Sequence, residues 1–126
     1  MENISLNKPL LFASLIMGVT CLVHVFAGGP ELYDPLRLSD LSVSARATFS
    51  VVWHFTTMQL FLLTIGLLYL ALFANKALFA FVLTTVIGFA ALFIGYGLHD
   101  LGSVWPLPQW IAFALCAGCM MWGMRR

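Results

Sequence analysis

Four long stretches of the chain carry almost no charged side chains, and short polar stretches separate them. A helix rises 1.5 Å per residue, so about 20 apolar residues cross a bilayer core of roughly 30 Å. The pattern therefore predicts membrane-spanning helices at about residues 9–27, 43–74, 77–98 and 107–124. The first run is longer than the apolar core of a cleaved signal peptide, so we expect it to be retained as a helix.

The breaks between the runs contain residues that end or turn helices. Gly28-Gly29-Pro30 predicts the end of the first helix, with the glycines as left-handed caps and a loop continuing to about Ser42. Asn75-Lys76 predicts a tight turn between the second and third helices. Together the runs predict one all-α domain over residues 1–126, a polytopic membrane protein folded as a four-transmembrane-helix bundle.

Composition supports a lipid environment. The chain of 126 residues is 62% hydrophobic and 9% charged, with a mean hydropathy of +0.99. A soluble domain carries about a quarter charged residues, and one this small cannot bury so much apolar surface. We therefore expect the lipid bilayer to be its main partner. The net charge of +1 does not indicate nucleic-acid binding.

The basic residues predict the orientation in the membrane. Four spans place both termini on one side, together with Lys8, Lys76, Arg125 and Arg126, whereas Arg37 and Arg46 lie on the other. Positive charge is enriched in cytoplasmic segments, so the N and C termini are predicted to be cytoplasmic.

A polar stripe interrupts the second apolar run. Arg46, Ser50, His54 and Thr57 follow one another at spacings of four, four and three, so they share one helix face. Ionisable side chains within a membrane helix face a protein interior or a cavity rather than lipid. We expect this face to line a site or pocket, with His54 as its deepest ionisable group.

All three histidines of the chain are predicted to lie at the outer end of the bundle. His24 is near the end of the first helix, His54 near the start of the second and His99 at the end of the third. Imidazoles from separate helices suit zinc, copper or iron, including haem iron. Glu31 and Asp100 lie nearby as second-shell or pocket groups. In the alternative interpretation, each histidine hydrogen-bonds a carbonyl, a lipid headgroup or water and binds no metal.

Sulfur side chains form a second candidate set. Thiolates and thioethers select Cu(I), and a ladder of them within a bundle is one way to hold copper. The candidates are Met17, Cys21, Met58, Cys116, Cys119 and Met120. The same residues are also ordinary packing groups, and the spacing Cys116-x-x-Cys119 lies too deep in an apolar run to favour thiol–disulfide exchange.

Small residues recur along one face of the third run. Ala80, Thr84, Gly88 and Gly95 lead along this face to His99. Small side chains allow neighbouring helices to approach closely in a membrane. The face is predicted to pack within the bundle or to join another copy of the chain or another membrane protein.

The pattern His24-x-x-x-Gly28-Gly29, followed by Trp53-His54, resembles a group of small bacterial four-helix inner-membrane proteins without an assigned activity. The resemblance covers roughly the first two helices. It implies a multi-pass protein of the bacterial inner (plasma) membrane, with His24, His54 and the glycine turn in one local arrangement. The chain does not resemble the four-helix b-type cytochromes, since no helix carries two histidines, and it lacks the membrane-embedded glutamate of small multidrug exporters.

These patterns lead to three functional hypotheses. The first is binding of a transition metal or haem at an outer-facing site of His24, His54 and His99. The second is a non-catalytic small subunit or assembly factor of a membrane complex. The third is an enzyme, a transporter or a pocket for a lipid, quinone or other small hydrophobic molecule, lined by the polar stripe and with His54 as acid/base or hydrogen-bond donor. No nucleophile, base and orienting group form a recognisable set, so the sequence does not predict an enzyme.

Overall fold

The computed structural model describes residues 6–124, and no strand occurs in that range. Its long helices are α1 (Lys8–Phe26), α2 (Val43–Leu72), α3 (Lys76–Leu101) and α4 (Trp110–Met124). The prediction of an all-helical chain with four long helices is confirmed. The stretch Lys8–Arg37, α2 and α3 are long and apolar enough to cross a membrane, whereas α4 has 15 residues.

Asparagine side chains set the start of two helices. The Asn7 side chain accepts a hydrogen bond from the backbone N–H of Leu10 (3.3 Å), and Asn75 does the same for Leu78 (2.9 Å). These are ordinary N-caps, which satisfy one of the first-turn donors of α1 and α3. The start of α2 is capped in the same way by Ser42, which accepts from Ala45.

The loop between α3 and α4 begins and ends later in the chain than predicted. Helix α3 continues beyond residue 98 and ends at Gly102, a left-handed residue with φ +66°. Ser103 then donates its N–H back to the Gly97 carbonyl (3.1 Å). Helix α4 begins at residue 110 instead of 107, because Pro108 restricts the residue before it to extended conformations.

The predicted end of the first helix agrees with α1 ending at Phe26, whereas the predicted left-handed glycine caps and the loop after them are wrong. Gly28 has helical angles (φ −66°, ψ −31°), a π-helical turn covers Gly29–Tyr33, and a short α-helix covers Asp34–Arg37. Pro30 lies in the first turn of this new helical segment, where its missing N–H costs nothing. The chain therefore leaves α1 by a wide helical turn that folds residues 29–37 towards the start of α2.

Helices α1 and α2 are joined along a seam with a seven-residue repeat. Three hydrogen bonds define it: Asn7 N–H to Ala71 O (2.9 Å), Ser14 Oγ to Thr64 O (2.9 Å) and Cys21 Sγ to Thr57 O (3.9 Å). The donors rise by seven residues while the acceptors fall by seven, so the helices are antiparallel. A constant spacing of seven is the geometry of left-handed coiled coils, with a crossing angle near 20°.

Helix α4 packs on the other side of α1 and then against α3. The Asn7 side chain donates to the Gly123 carbonyl (3.1 Å), and Cys116 Sγ donates to the Ala13 carbonyl (3.9 Å). A side chain at position 123 would lie 2.9 Å from Asn7 Oδ1, so only glycine allows this approach. Phe113 carries α4 onto α3, stacking on Phe89 with ring centroids 5.1 Å apart.

We expect Asn7→Ala to destabilise the protein more than Asn75→Ala. Both substitutions remove an N-cap, which costs about 1 kcal/mol. Asn7→Ala also removes the hydrogen bond to Gly123, for a further loss of about 1 kcal/mol. The free energies of unfolding, measured by SDS titration in mixed micelles, test the difference. Equal losses in the two variants would contradict the proposed role of Asn7 as a tie between helices.

Candidate functional site

The seam between α1 and α2 ends in a stacked pair of rings. His24 lies three residues beyond Cys21, and Trp53 lies four residues before Thr57, so both rings occupy the next layer of the seam. Their centroids are 4.1 Å apart and their planes differ by 21°. His24 is therefore held flat against the indole.

Tyr33 closes over this pair from the connecting segment. Its ring stacks on Trp53 (5.4 Å, 23°) and meets His54 edge-on (5.4 Å, 67°). The Tyr33 hydroxyl donates to Ser50 Oγ (3.3 Å) and lies 3.5 Å from His54 Nε2. Phe49 completes the group, with its ring centroid 6.2 Å from that of Tyr33 and 6.1 Å from that of Trp53. We call His24, Tyr33, Phe49, Trp53 and His54 the aromatic–histidine cluster.

The polar stripe of α2 faces the connecting segment. Arg46 donates from Nη1 to the Ser39 carbonyl (3.1 Å), and Ser50 Oγ donates to the Arg46 carbonyl (3.0 Å). Further along, Thr57 Oγ1 donates to the Trp53 carbonyl (3.0 Å). The bond from Arg46 to Ser39 and the bond from Tyr33 to Ser50 tie residues 33–39 to the start of α2, whereas the Ser50 and Thr57 bonds to carbonyls lie within α2. The four residues share a face as predicted, but the His54 side chain on it is exposed.

One polar atom in the cluster lacks a partner. Nε2 of His24 is buried and has no hydrogen bond within residues 6–124. The backbone of Trp53 lies close enough to influence the ring, but not in hydrogen-bond geometry. A buried imidazole nitrogen without a hydrogen bond costs about 1–3 kcal/mol. Such an atom is a natural point for a ligand or a metal ion to attach.

Glycine at position 28 permits the stack to form. A β-carbon there would lie 3.1 Å from Cη2 of Trp53, whereas one at Gly29 would meet nothing within 4 Å. Backbone and indole therefore touch directly where α1 passes into the connecting segment. Gly28, His24 and Trp53 form one local arrangement, and His54 joins it through Tyr33.

The third histidine lies apart from the cluster. The His99 side chain is 85% exposed, and its Nδ1 is paired with Asp100, the next residue along α3. Helix α3 packs mainly against α4, which separates its face from the seam of α1 and α2. Among the described residues, no three histidine, cysteine, aspartate or glutamate side chains form a group that could hold a metal ion. The expected meeting of His24, His54 and His99 in one metal site is therefore not found in residues 6–124.

The remaining acidic candidates are peripheral. Glu31 is exposed on the π-helical turn, and Asp100 contacts His99. Neither is in hydrogen-bond contact with the aromatic–histidine cluster in the described part of the chain. Their predicted role as second-shell groups has no geometric support there.

The sulfur candidates occupy packing positions. Met17, Cys116 and Met120 are fully buried in the common core, whereas Met58 is half exposed. The thiols of Cys21 and Cys116 each donate to a backbone carbonyl of a neighbouring helix. Cys119 packs at the edge of the same core. These contacts are those of protonated thiols and thioethers that fill an apolar interior.

The small-residue face of α3 points away from the bundle. Ala80, Thr84, Gly88, Ala91 and Gly95 are all exposed, and a β-carbon at either glycine would meet nothing within 4 Å. The expectation that this face packs within the chain is therefore wrong. The alternative, contact with another copy or another protein, stays a prediction.

Sequence reasoning missed Tyr33 and Phe49 as members of the site. Tyr33 was expected in a loop, whereas the helical turn of residues 29–33 carries it onto α2. The spacing of Phe49 and Trp53, four residues apart and adjacent to Ser50 and His54, is a readable signal. This spacing places an aromatic row beside the polar row on α2. A segment that packs against both rows needs aromatic and hydrogen-bonding groups together, as Tyr33 has.

Gly28→Ala should disturb the cluster, whereas Gly29→Ala should not. Both positions have helical angles, so alanine is favoured by up to about 1 kcal/mol in each backbone. At position 28 the added methyl pushes on Trp53, which is already held between His24 and Tyr33. We expect Gly28→Ala to be less stable than Gly29→Ala and to shift tryptophan emission. Identical spectra and stabilities in the two variants would contradict the close approach.

We expect Met120→Ala to destabilise the protein more than Met121→Ala, because the first methionine is buried and its neighbour is exposed. Met120 is fully buried and Met121 is 45% exposed. Removal of the buried side chain leaves a cavity and should cost about 2–5 kcal/mol, against less than about 1 kcal/mol at position 121. SDS titration measures both values, and Met120→Leu should restore most of the loss. Failure of leucine to restore stability would favour a role for the thioether sulfur itself.

Comparison with known protein families, with characterised proteins and with solved structures finds no match to this chain. The resemblance based on His24, Gly28, Gly29, Trp53 and His54 therefore stays a prediction.

Proposed function

We propose that this protein is a non-catalytic integral membrane protein that binds a planar, hydrogen-bonding molecule of the quinone class at the aromatic–histidine cluster. The observation that carries the proposal is the buried Nε2 of His24, which has no partner among the described residues and belongs to the same cluster as Tyr33 and His54. A metal or haem site is the second candidate.

The membrane setting follows from the helices and the charges. Three stretches of the described chain have the length and composition of membrane spans. Their outward faces are apolar, as shown by the half-exposed Phe12, Leu22 and Phe81. With the basic residues concentrated towards the termini and the α2–α3 turn, we place this multi-pass protein in the bacterial inner membrane with cytoplasmic N and C termini.

The cluster offers what a quinone headgroup requires. A quinone is a flat ring with carbonyl oxygens at opposite ends, so it needs aromatic faces for stacking and hydrogen-bond donors at its rim. The rings of Trp53 and Tyr33 are nearly parallel and stack on each other, so a quinone would lie against the outer side of this stack and not between the two rings. The imidazoles of His24 and His54 supply donors, and the Tyr33 hydroxyl becomes a third one if it turns from Ser50 Oγ to the ligand. The Tyr33–His54 contact is long at 3.5 Å, so a ligand oxygen can replace it at little cost.

A metal or haem is the second candidate, because the free lone pair on His24 Nε2 is also what a metal ion needs. His54 is the other imidazole of the cluster, and it joins His24 through the rings of Tyr33 and Trp53. Zinc, copper or iron would need further ligands from outside the described residues, since no group of three is found there. The quinone proposal requires no such addition.

A small subunit or assembly factor is compatible with either ligand. The exposed small-residue face of α3, with Gly88 and Gly95, is of the kind that joins membrane helices. A complex with a second copy or another membrane protein would leave the cluster unchanged. Mild-detergent purification followed by size measurement tests this separately from ligand binding.

The purified protein should bind a short-chain quinone saturably, with quenching of tryptophan fluorescence. His24→Ala and Tyr33→Phe each remove one hydrogen-bonding group, so each should weaken binding about fivefold. His99→Ala serves as the matched control, because it removes an exposed imidazole outside the cluster and should leave the affinity unchanged. Trp53→Phe should abolish most of the quenching signal and so locate the bound ring.

Three results would overturn the quinone proposal. Quenching that never saturates would show partition into the micelle alone. Equal affinities in His24→Ala and His99→Ala would remove the cluster from the binding site. Stoichiometric metal by elemental analysis, or a Soret band, present in the unaltered protein and lost in His24→Ala, would replace the quinone with a metal or haem.

A further inference from the structure

A cavity lies at the end of the bundle opposite to the aromatic–histidine cluster. It has a volume of about 780 Å³ and lies between the start of α1, the α2–α3 turn and the end of α4. Two features set its chemistry, namely the basic groups at its rim and the apolar side chains on its wall.

The rim of the cavity is basic. Lys8 and Lys76 both line it, and no aspartate or glutamate is among the described residues that do so. The ion pair found within residues 6–124 joins His99 to Asp100, so neither lysine is neutralised by a described acid. Helices α1 and α3 both begin here, and neither has an acidic residue in its first turn. The positive ends of two helix dipoles therefore add to the two ammonium charges.

The wall of the cavity is apolar. Leu10, Leu70 and Phe79 line it, and the half-exposed Leu6 and the exposed Met124 stand at its edge. Inorganic phosphate has no group to place against these side chains. A molecule with an anionic head and a hydrocarbon tail satisfies both the rim and the wall.

We infer that this cavity binds the headgroup of an anionic phospholipid. The phosphate lies towards Lys8 and Lys76, and the upper part of an acyl chain follows the wall formed by Leu10 and Phe79. In the membrane orientation given above, the cavity opens at the cytoplasmic surface, where anionic lipids are abundant. The site is separate from the aromatic–histidine cluster and rests only on the membrane setting of the proposed function.

Lipid retention measured by native mass spectrometry tests the inference. The full-length protein in non-ionic detergent is mixed with phosphatidylglycerol or with phosphatidylcholine of the same acyl chains. We expect phosphatidylglycerol to bind more tightly, and Lys8→Gln and Lys76→Gln each to reduce that preference about fivefold. Arg37→Gln is the matched control, since it also removes one exposed positive charge but at the other end of the bundle.

Further measurements keep the result independent of folding defects. Raised salt should reduce the preference in the unaltered protein, and quinone quenching in the two lysine variants should equal that of the unaltered protein. Equal retention of both lipids by the unaltered protein overturns the inference. So does an equal effect of Arg37→Gln, or displacement of bound phosphatidylglycerol by inorganic phosphate alone. Loss of quinone quenching with intact lipid preference would count against the proposed function and leave this site standing.

Discussion

The seam between α1 and α2 is the interaction on which the other contacts depend. Hydrocarbon outside a membrane bundle is as apolar as the helix surfaces, so close packing and hydrogen bonds between helices must hold it together. Ser14 and Cys21 each donate a hydrogen bond to a backbone carbonyl of α2, and that carbonyl also accepts a hydrogen bond within α2. The same seam fixes the height of His24 against Trp53, and on its other side α1 presents Asn7 and Ala13 to α4. Both ends of the molecule are therefore set by the register of one helix pair.

The polar groups of α2 show how an apolar chain holds a polar site. Arg46, Ser50 and Thr57 direct their hydrogen bonds to carbonyls or hydroxyls of the chain itself. Tyr33 bridges the row by contacting both Ser50 and His54. His24 is the exception, because the bond its Nε2 would make is not supplied by the described residues. The surrounding polar groups are already hydrogen-bonded, so a ligand that supplies a partner for this one atom can bind without breaking their bonds.

The apolar runs were sufficient to predict four helices, since run length alone limits where a helix can begin and end. The connecting segment was not predictable in this way, because Pro30 is equally compatible with ending a helix and with beginning the next. The side of α3 that faces the bundle was also not predictable from hydrophobicity, because apolar residues occur all round this helix and their periodicity indicates no preferred side. His99 was placed at the correct end of α3, but its side chain points outward with Gly95 and not towards α1. The pairing of His24 with the Trp53-His54 stretch was visible in the sequence, whereas the bridging Tyr33 depended on the helical turn of residues 29–33.

Helix α4, as far as the structure describes it, is shorter than α3 beside it. Its 15 described residues span roughly 22 Å, against roughly 39 Å for the 26 residues of α3 beside it. The turn of residues 102–109 joins the end of α3 to the start of α4. Its backbone is partly satisfied there, with Trp110 Nε1 donating to the Val104 carbonyl and Leu107 N–H to the same oxygen. In a bilayer, the described part of α4 would match a thinner hydrocarbon layer than α3 does.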